Sequence, residues 1–165
     1  MKIIEGDICE IKEGYLLQQS NCVSLFPKGL AKTLENKFPG CCPYLKRKLL
    51  RYNQATKDTR DIPGSIEIVD YGDIKIVSMF AQYYPGKPQQ TYEFKDTYDE
   101  RKKFFKICLN TLEDYLKENK EYIKINIPYK IGCGLAGGIW KDYLSMIEDF
   151  EKRNKHLEIN IFKNV

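Results

Sequence analysis

The chain has 165 residues, of which 42% are hydrophobic, 27 are Lys or Arg and 23 are Asp or Glu. This length and composition predict one domain spanning residues 1–165 around a single sizeable core. The net charge of +4 comes from interspersed charges of both signs, so it does not indicate a polyanion-binding surface.

Targeting signals and metal-binding motifs are not evident in the sequence. Charges interrupt the first fifteen residues, which excludes the apolar core of a signal peptide, and no apolar run approaches the roughly 18 residues of a membrane span. We therefore expect a cytoplasmic or nuclear protein with reduced thiols and no membrane partner. The six cysteines form no C-x-x-C pair and His156 is the one histidine, so we expect neither a metal nor a cofactor.

The first half of the chain alternates short apolar runs with amphipathic stretches. Residues 2–4 and 15–19 are predicted strands, and a helix is predicted from Lys28 or Gly29 to Phe38, where Pro39 and Gly40 end it. A second helical stretch is expected over residues 42–52. Alternating apolar positions within residues 65–80, on either side of a turn at 70–73, predict a β-hairpin.

The second half continues the alternation. Residues 81–97 are predicted to form a long surface loop, in which Tyr83, Tyr84 and Tyr92 could shape one end of a ligand site. A helix is predicted over 98–119, then a strand over 122–127, a helix over 139–153 and a strand over 157–162. The core stripe of the long helix consists of Phe104, Phe105, Cys108, Leu109, Leu112, Tyr115 and Leu116. This order of elements predicts an α/β layered fold.

The stretch IGCGLAGG, residues 131–138, concentrates glycine between a predicted strand and a predicted helix. In that arrangement backbone N–H groups and a helix N-terminus converge on an anion, and glycine allows phosphate oxygens to approach closely. The stretch therefore predicts a phosphate-binding loop. A mobile turn is the alternative, although four glycines in seven residues carry a large entropic cost for a mere turn.

Two nucleotide-binding motifs and a nucleophilic cysteine are alternative interpretations of this stretch. Gly132, Gly134 and Gly137 match G-x-G-x-x-G, but only 27 residues follow Gly138, too few for the βα units of a dinucleotide domain. No Gly-Lys-Ser/Thr follows, which excludes a Walker loop. Cys133 at the start of a helix is a candidate nucleophile, but the loop holds no histidine base.

Three segments together resemble the macro domain, the ADP-ribose-binding module. They are EGDIC (5–9), QQSNCVSLFPKGLAKTLENKFPG (18–40) and NIPYKIGCGLAGGIWKDYLSMIEDF (126–150). The resemblance is to the branch with the terminal ADP-ribose protein glycohydrolases and the viral and phage relatives of ADP-ribose-1''-phosphate phosphatases. It implies a three-layer α/β/α fold with a mixed central sheet, and a monomer that binds ADP-ribose or an ADP-ribosylated substrate. Nucleic acid is expected only as a modified substrate.

The resemblance also implies roles for individual residues. Asp7 would read adenine beside Ile8, Asn21 would face the distal ribose, and Phe162 would pack against adenine. The ligand-binding residues expected in this way are Asp7, Ile8, Asn21, Lys28, Gly29, Leu30, Gly132, Cys133, Gly134, Leu135, Ala136, Gly137, Gly138 and Phe162. An N-cap aspartate, a buried capping amide and a core phenylalanine are the structural alternatives for Asp7, Asn21 and Phe162.

The chain departs from its catalytic relatives at two positions. Ala136 or a neighbouring glycine stands where the glycohydrolases have an aspartate, and Gln82 or Tyr83 stands at their lysine, with Lys87 close by. His156 is expected on the solvated surface. The chemistry compatible with these residues is attack by a water that the ligand itself positions, with Asn21 as the candidate catalytic residue. A reader that binds ADP-ribose without chemistry is the alternative.

Overall fold

The computed structural model describes residues 1–119 and 121–165. Its strands and helices are β1 (Lys2–Glu5), β2 (Gly14–Gln19), α1 (Leu30–Lys37), β3 (Leu49–Arg51), β4 (Gln54–Ala55), β5 (Ile66–Tyr71), β6 (Ile74–Met79), β7 (Gln89–Gln90), β8 (Lys95–Asp96), α2 (Tyr98–Leu116), β9 (Ile123–Pro128), α3 (Trp140–Arg153) and β10 (Leu157–Lys163). None of the helices in these ranges has the length and apolar content that crossing a membrane needs.

A six-stranded sheet in the order β1-β10-β9-β2-β6-β5 forms the centre of the fold. The strands β1, β10, β9, β2 and β6 run parallel, and β5 pairs antiparallel with β6. The predicted hairpin and the mixed sheet are both confirmed. Two small antiparallel hairpins, β3–β4 and β7–β8, lie outside this sheet.

Helices cover both faces of the sheet because β2 alternates its side chains between two cores. Leu17 belongs to a core with residues of α2 and α3, including Phe105 and Tyr143, whereas Leu16 belongs to a second core with Leu34 of α1. Fully burying such a side chain stabilises the fold by about 1.5–3 kcal/mol. The three-layer α/β/α prediction is therefore confirmed.

The carboxyl ends of β2 and β9 form the topological switch point of the sheet. The chain continues from β2 to β5 and β6 on one side, and from β9 to β10 on the other. Open α/β sheets bind ligands where such connections diverge. Moreover, β2 and β9 pair only at Tyr15↔Ile125 and Leu16↔Asn126, so the two strands are not paired toward their carboxyl ends.

Three local predictions are wrong. Residues 42–52 form a 3₁₀ turn at Pro43–Lys46 and the strand β3, because Arg47 turns into extended backbone with its side chain buried, and tertiary contacts override helix propensity. Residues 81–97 are not purely a surface loop, since Tyr84 and Asp96 are buried. In the core stripe of α2, Tyr115 is exposed because it lies at the edge of the apolar face.

Candidate functional site

A cleft of about 640 Å³, here called the main cleft, opens at the carboxyl ends of β2 and β9. It lies at the switch point of the sheet, where a ligand site is expected. Of the residues predicted to bind ligand, those that line it are Asn21, Lys28, Gly29, Leu30, Gly132, Gly134, Leu135 and Ala136. The fold thus brings residues 21–30 and residues 132–136, which are far apart in sequence, to one site.

The glycine loop, residues 131–138, contributes to the lining of the main cleft three successive residues whose N–H groups have no protein acceptor in the described parts of the chain. The N–H groups of Cys133, Gly137 and Gly138 donate to backbone oxygens within residues 130–134 at 2.9–3.0 Å. Among the described residues, no protein acceptor binds the N–H groups at positions 134–136, and all three residues line the cleft. Successive backbone donors without protein partners, next to a helix N-terminus, are suited to bind an anion such as phosphate.

Packing of the glycine loop requires glycine at two positions. A Cβ on Gly132, whose φ is +73°, would lie 2.5 Å from Gln19 Oε1, and a Cβ on Gly138 would lie 2.5 Å from the carbonyl oxygen of Gly132. Both distances are shorter than real Cβ contacts. These glycines permit close backbone packing at both ends of the loop.

Asn21 presents an amide donor to the main cleft from the turn after β2. Its Oδ1 accepts hydrogen bonds from the N–H groups of Val23 at 3.0 Å and Ser24 at 2.8 Å, and its own N–H donates to the hydroxyl of Tyr44 at 2.9 Å. The amide is therefore fixed in orientation, with Oδ1 serving the turn. Nδ2 has no acceptor among the described residues and is available to a ligand oxygen.

Buried oxygen atoms without partners also belong to residues of the main cleft. They are Gln18 Oε1, Gln19 Oε1 and Ser24 Oγ. Gln19 Nε2 donates to Gln82 Oε1 at 2.8 Å, and Gln82 Nε2 donates to the carbonyl oxygen of Tyr84 at 2.9 Å. Buried polar atoms are rarely left unsatisfied in proteins, but these oxygens are enclosed by the protein itself and do not by themselves indicate a ligand.

Arg47 supports the wall of the cleft that contains Asn21. Its side chain is 1% exposed, and it donates to the carbonyl oxygens of Ser24 at 2.8 Å and Asn21 at 2.7 Å. Asp61 accepts from the guanidinium at 2.7 Å. This arginine therefore fixes the backbone that carries the Asn21 amide.

Arg101 supports the opposite wall. Its side chain is 1% exposed and pairs at 2.7 Å with Asp96, which is 0% exposed. The guanidinium donates to the carbonyl oxygens of Gly86 at 2.6 Å and Ala136 at 3.0 Å, and to those of Tyr84 at 3.0 Å and Lys87 at 3.2 Å. One buried side chain thus joins the glycine loop to the segment 84–87.

Comparisons with solved structures agree with this architecture. The macrodomain of Mycobacterium tuberculosis DarG superposes with a TM-score of 0.73 at 18% identity, over 98% of this chain and 95% of the other. The macrodomain of Thermus aquaticus DarG gives 0.70 at 18% identity, over 98% and 97%. The chain has the macrodomain fold. Alphavirus P23pro-zbd gives 0.65 at 14% identity, over 98% of this chain and 21% of that one.

Searches by sequence find no match for this chain. No protein-family model matches the chain, and no curated protein matches it. The macrodomain fold has a mixed sheet whose first strand, β1, lies at one edge, unlike the dinucleotide-binding order 3-2-1-4-5-6. The G-x-G-x-x-G match is therefore not a dinucleotide fingerprint.

The lining of the main cleft is poor in groups that transfer protons. Among its described lining residues there is no Asp, Glu, His or Cys, and the cations are Lys28 and Lys130. Gln82 lines the cleft where the resemblance placed a lysine. Lys87 lies over the glycine loop, with its Cδ 3.0 Å from the position of a Cβ on Gly137, and is not part of the lining.

Two titratable candidates lie elsewhere. Cys133 does not line the main cleft, its thiol donates to the carbonyl oxygen of Ile131 at 3.3 Å, and burial raises its pKa to about 11. Burial therefore opposes formation of the thiolate that a nucleophilic Cys133 would need. His156 directly precedes β10, at the end of the sheet opposite the main cleft, and it is partly exposed with Nε2 inaccessible.

The three residues predicted to hold adenine lie at the same edge of the sheet but outside the lining of the main cleft. Asp7 is exposed, and its Oδ1 accepts from the N–H of Cys9 at 2.8 Å as an N-cap. Ile8 is buried and Phe162 is half-buried, both in the core beside α1. Phe162 pairs with Pro128 at the end of β9. The structural roles of Asp7 and Phe162 are present, and their adenine contacts stay predictions.

Several residues of the main cleft were missed from the sequence. They are Gln18, Gln19, Phe26, Tyr44, Asn53 and Tyr129. Gln18 and Gln19 end the otherwise apolar strand YLLQQ, and Tyr129 directly follows β9. Polar or aromatic residues where parallel strands end were the available signal. Tyr44 and Asn53 come from a segment that carried no such signal.

A second cleft of about 460 Å³ adjoins the main cleft and shares Asn53 and Pro85 with it. Tyr52 and Tyr92 line it and are 89% and 97% exposed. Tyr84 is buried in a small core and Tyr83 stacks on Phe94 at 4.0 Å. Tyr83, Tyr84 and Tyr92, which were expected to shape one end of the ligand site, therefore lie outside the lining of the main cleft.

Proposed function

We propose that the protein binds ADP-ribose, or a derivative of it, in the main cleft. The observation that carries this proposal is the run of three free N–H groups at residues 134–136 along the cleft. A diphosphate on these donors needs no countercharge from the protein, since oriented amides and a helix N-terminus stabilise it. ADP-ribose is the ligand that the family resemblance implies.

The rest of the ligand has partners along the same edge of the sheet. Asn21 Nδ2 is the donor for a hydroxyl of the distal ribose, and Gln18 and Gln19 line the same cleft. In the other direction the edge continues past Pro128 to Phe162 and Asp7. We propose that adenine lies there, packed on Phe162 and read by Asp7 and the backbone of Ile8.

We further propose hydrolysis of an ADP-ribose derivative, either ADP-ribose-1''-phosphate or an ADP-ribosyl adduct. A water held between Asn21 and the bound diphosphate attacks, the bond to the phosphate or acceptor breaks, and the water supplies the hydroxyl and the proton of the two products. Positioning and electrostatic stabilisation by backbone donors lower such a barrier without a strong protein base. The absence of carboxylates from the described lining favours this route over a lysine and aspartate mechanism.

Calorimetry with ADP-ribose, NAD and ATP tests the binding proposal. We expect ADP-ribose to bind about tenfold more tightly than the other two, or better. The Asn21→Asp variant keeps an oxygen for the N–H groups of Val23 and Ser24 but loses the Nδ2 donor, so its thermal stability should change little while ADP-ribose affinity falls. Equal affinity for all three nucleotides would reject the proposal.

Product assays separate the hydrolase from the reader. Release of phosphate from ADP-ribose-1''-phosphate, or of ADP-ribose from modified protein or nucleic acid, supports hydrolysis and names the acceptor. Asn21→Asp should lower the turnover number as well as the affinity, because it removes the group that orients the ribose. Tight ADP-ribose binding without turnover of any of these substrates would leave the reader as the function.

A further inference from the structure

We infer that Arg101 is a positioning residue of the main cleft. From the interior it fixes the glycine loop and the segment 84–87 together by binding carbonyl oxygens of both. The inference rests on the proposed function for the identity of that ligand. The geometry it starts from is independent of any ligand.

Arg101 reaches this position from the first turn of α2. Thr97 caps that helix by accepting from the N–H of Glu100, and Arg101 falls on the same helical face as the buried Phe105, Cys108 and Leu112. Instead of an apolar side chain, this face therefore places a guanidinium beneath two loops. Its planar fork of five donors suits the fixing of several carbonyl groups at once, which a lysine ammonium cannot reproduce.

Asp96 holds the same segment from its donor side. Its Oδ1 accepts from the N–H of Tyr83 at 3.0 Å and its Oδ2 accepts from the N–H of Tyr84 at 2.8 Å, while Oδ2 also binds Arg101. The Asp96 carboxylate thus binds the N–H groups of Tyr83 and Tyr84, and the Arg101 guanidinium binds carbonyl groups within residues 84–87. A buried pair of this kind requires both members, because either charge alone in the interior is unfavourable.

The consequence for the cleft follows from two of these carbonyl groups. The Ala136 oxygen that Arg101 binds belongs to the peptide that carries the N–H of Gly137, which donates to Gly134, so Arg101 anchors the turn that directly follows the N–H groups at 134–136. The Tyr84 oxygen accepts from both Arg101 and Gln82 Nε2, so Arg101 also fixes the Gln82 amide that lines the cleft. Arg101 acts on the ligand only through these groups.

Hydrogen exchange of the ligand-free protein tests the inference directly. The variants are Arg101→Lys, Arg101→Met and, as a control, Leu112→Ala, a buried core substitution on the same helix. Exchange is compared at matched global stability, set by adjusting temperature. We expect the hydrogen-bonded amides of Tyr84, Gly137 and Gly138 to exchange at least about tenfold faster in both Arg101 variants than in the control, with amides of β9 unchanged. Arg101→Lys should be the milder variant.

Ligand titration provides the second readout. At the same matched stability, ADP-ribose affinity should fall at least about tenfold in Arg101→Met relative to Leu112→Ala, and less in Arg101→Lys. If both loops exchange as in the control, or if affinity follows stability alone, Arg101 is only a structural residue and the inference is overturned. If the unmodified protein fails to bind ADP-ribose, the proposed function fails, and the exchange experiment still decides the role of Arg101.

Discussion

The main cleft has two walls, and a buried arginine stands behind each. Arg47 binds the carbonyl oxygens of Asn21 and Ser24 behind one wall, and Arg101 binds those of Gly86 and Ala136 behind the other. Both arginine side chains are 1% exposed, but their carboxylate partners differ, since Asp61 is 36% exposed and Asp96 is 0% exposed.

This difference bears on how each wall depends on its charge pair. Water reaches Asp61, so it screens that pair and can hydrate the guanidinium when the carboxylate is removed. No water reaches Asp96, so its removal leaves a charge in the interior with no replacement partner. Arg47 is further supported by the ring of Tyr44, whose centroid lies 4.7 Å away. The wall behind the glycine loop therefore depends more strongly on its ion pair.

The largest expected effect is the loss of Asp96. Asp96→Ala should lower the free energy of unfolding by about 3–5 kcal/mol, because it leaves the buried Arg101 without its countercharge and two backbone N–H groups without their acceptor. Asp61→Ala should cost about 1–2 kcal/mol, since solvent enters the vacated site. Denaturant unfolding of both variants beside the unmodified protein measures the two losses. Equal losses would show that exposure of the carboxylate does not distinguish the walls.

A smaller effect is expected from adding one methyl group to the glycine loop. Gly138→Ala places a Cβ 2.5 Å from the carbonyl oxygen of Gly132, and backbone must move to accept it, at a cost of about 1–3 kcal/mol. Gly134→Ala is the matched control, because no atom lies within 4 Å of its Cβ position and its stability should change by less than about 0.5 kcal/mol. Thermal unfolding compares them. Similar melting temperatures would mean that the backbone of the glycine loop moves to accept the Cβ at little cost in stability.

Elements with a clear periodicity of their own were predictable from the sequence. The sheet strands, α1, α2 and α3 follow the predicted order, because each pattern reflects the face that the element buries. The segment 42–52 was not predictable in this way, since its backbone follows from the burial of Arg47 against residues 21–24. A pattern within the segment cannot report a contact made with another part of the chain.

The same distinction separates the site residues that were predictable from the sequence from those that were not. The glycine loop and Asn21 were identified because their chemistry lies within one short segment that resembles a known family. Both arginines were missed because charged residues are seldom fully buried, and nothing local indicates that carbonyl groups will surround them. For Arg101 one signal existed, its place on the helical face that also carries Phe105, Cys108 and Leu112.

The smallest effect is expected at Cys133, beside the glycine loop. Burial raises the pKa of its thiol to about 11, so at pH 8 only about one thiol in a thousand is ionised, and only the thiolate is nucleophilic. Alkylation by iodoacetamide should be slow at pH 8 and accelerate about tenfold per pH unit toward pH 11. Mass spectrometry of the labelled peptide measures this rate, with free glutathione as the reference. The other five cysteines are buried, so labelling of the native protein should report Cys133. Rapid labelling at pH 7 would contradict the raised pKa and show that a reactive thiol lies beside the glycine loop.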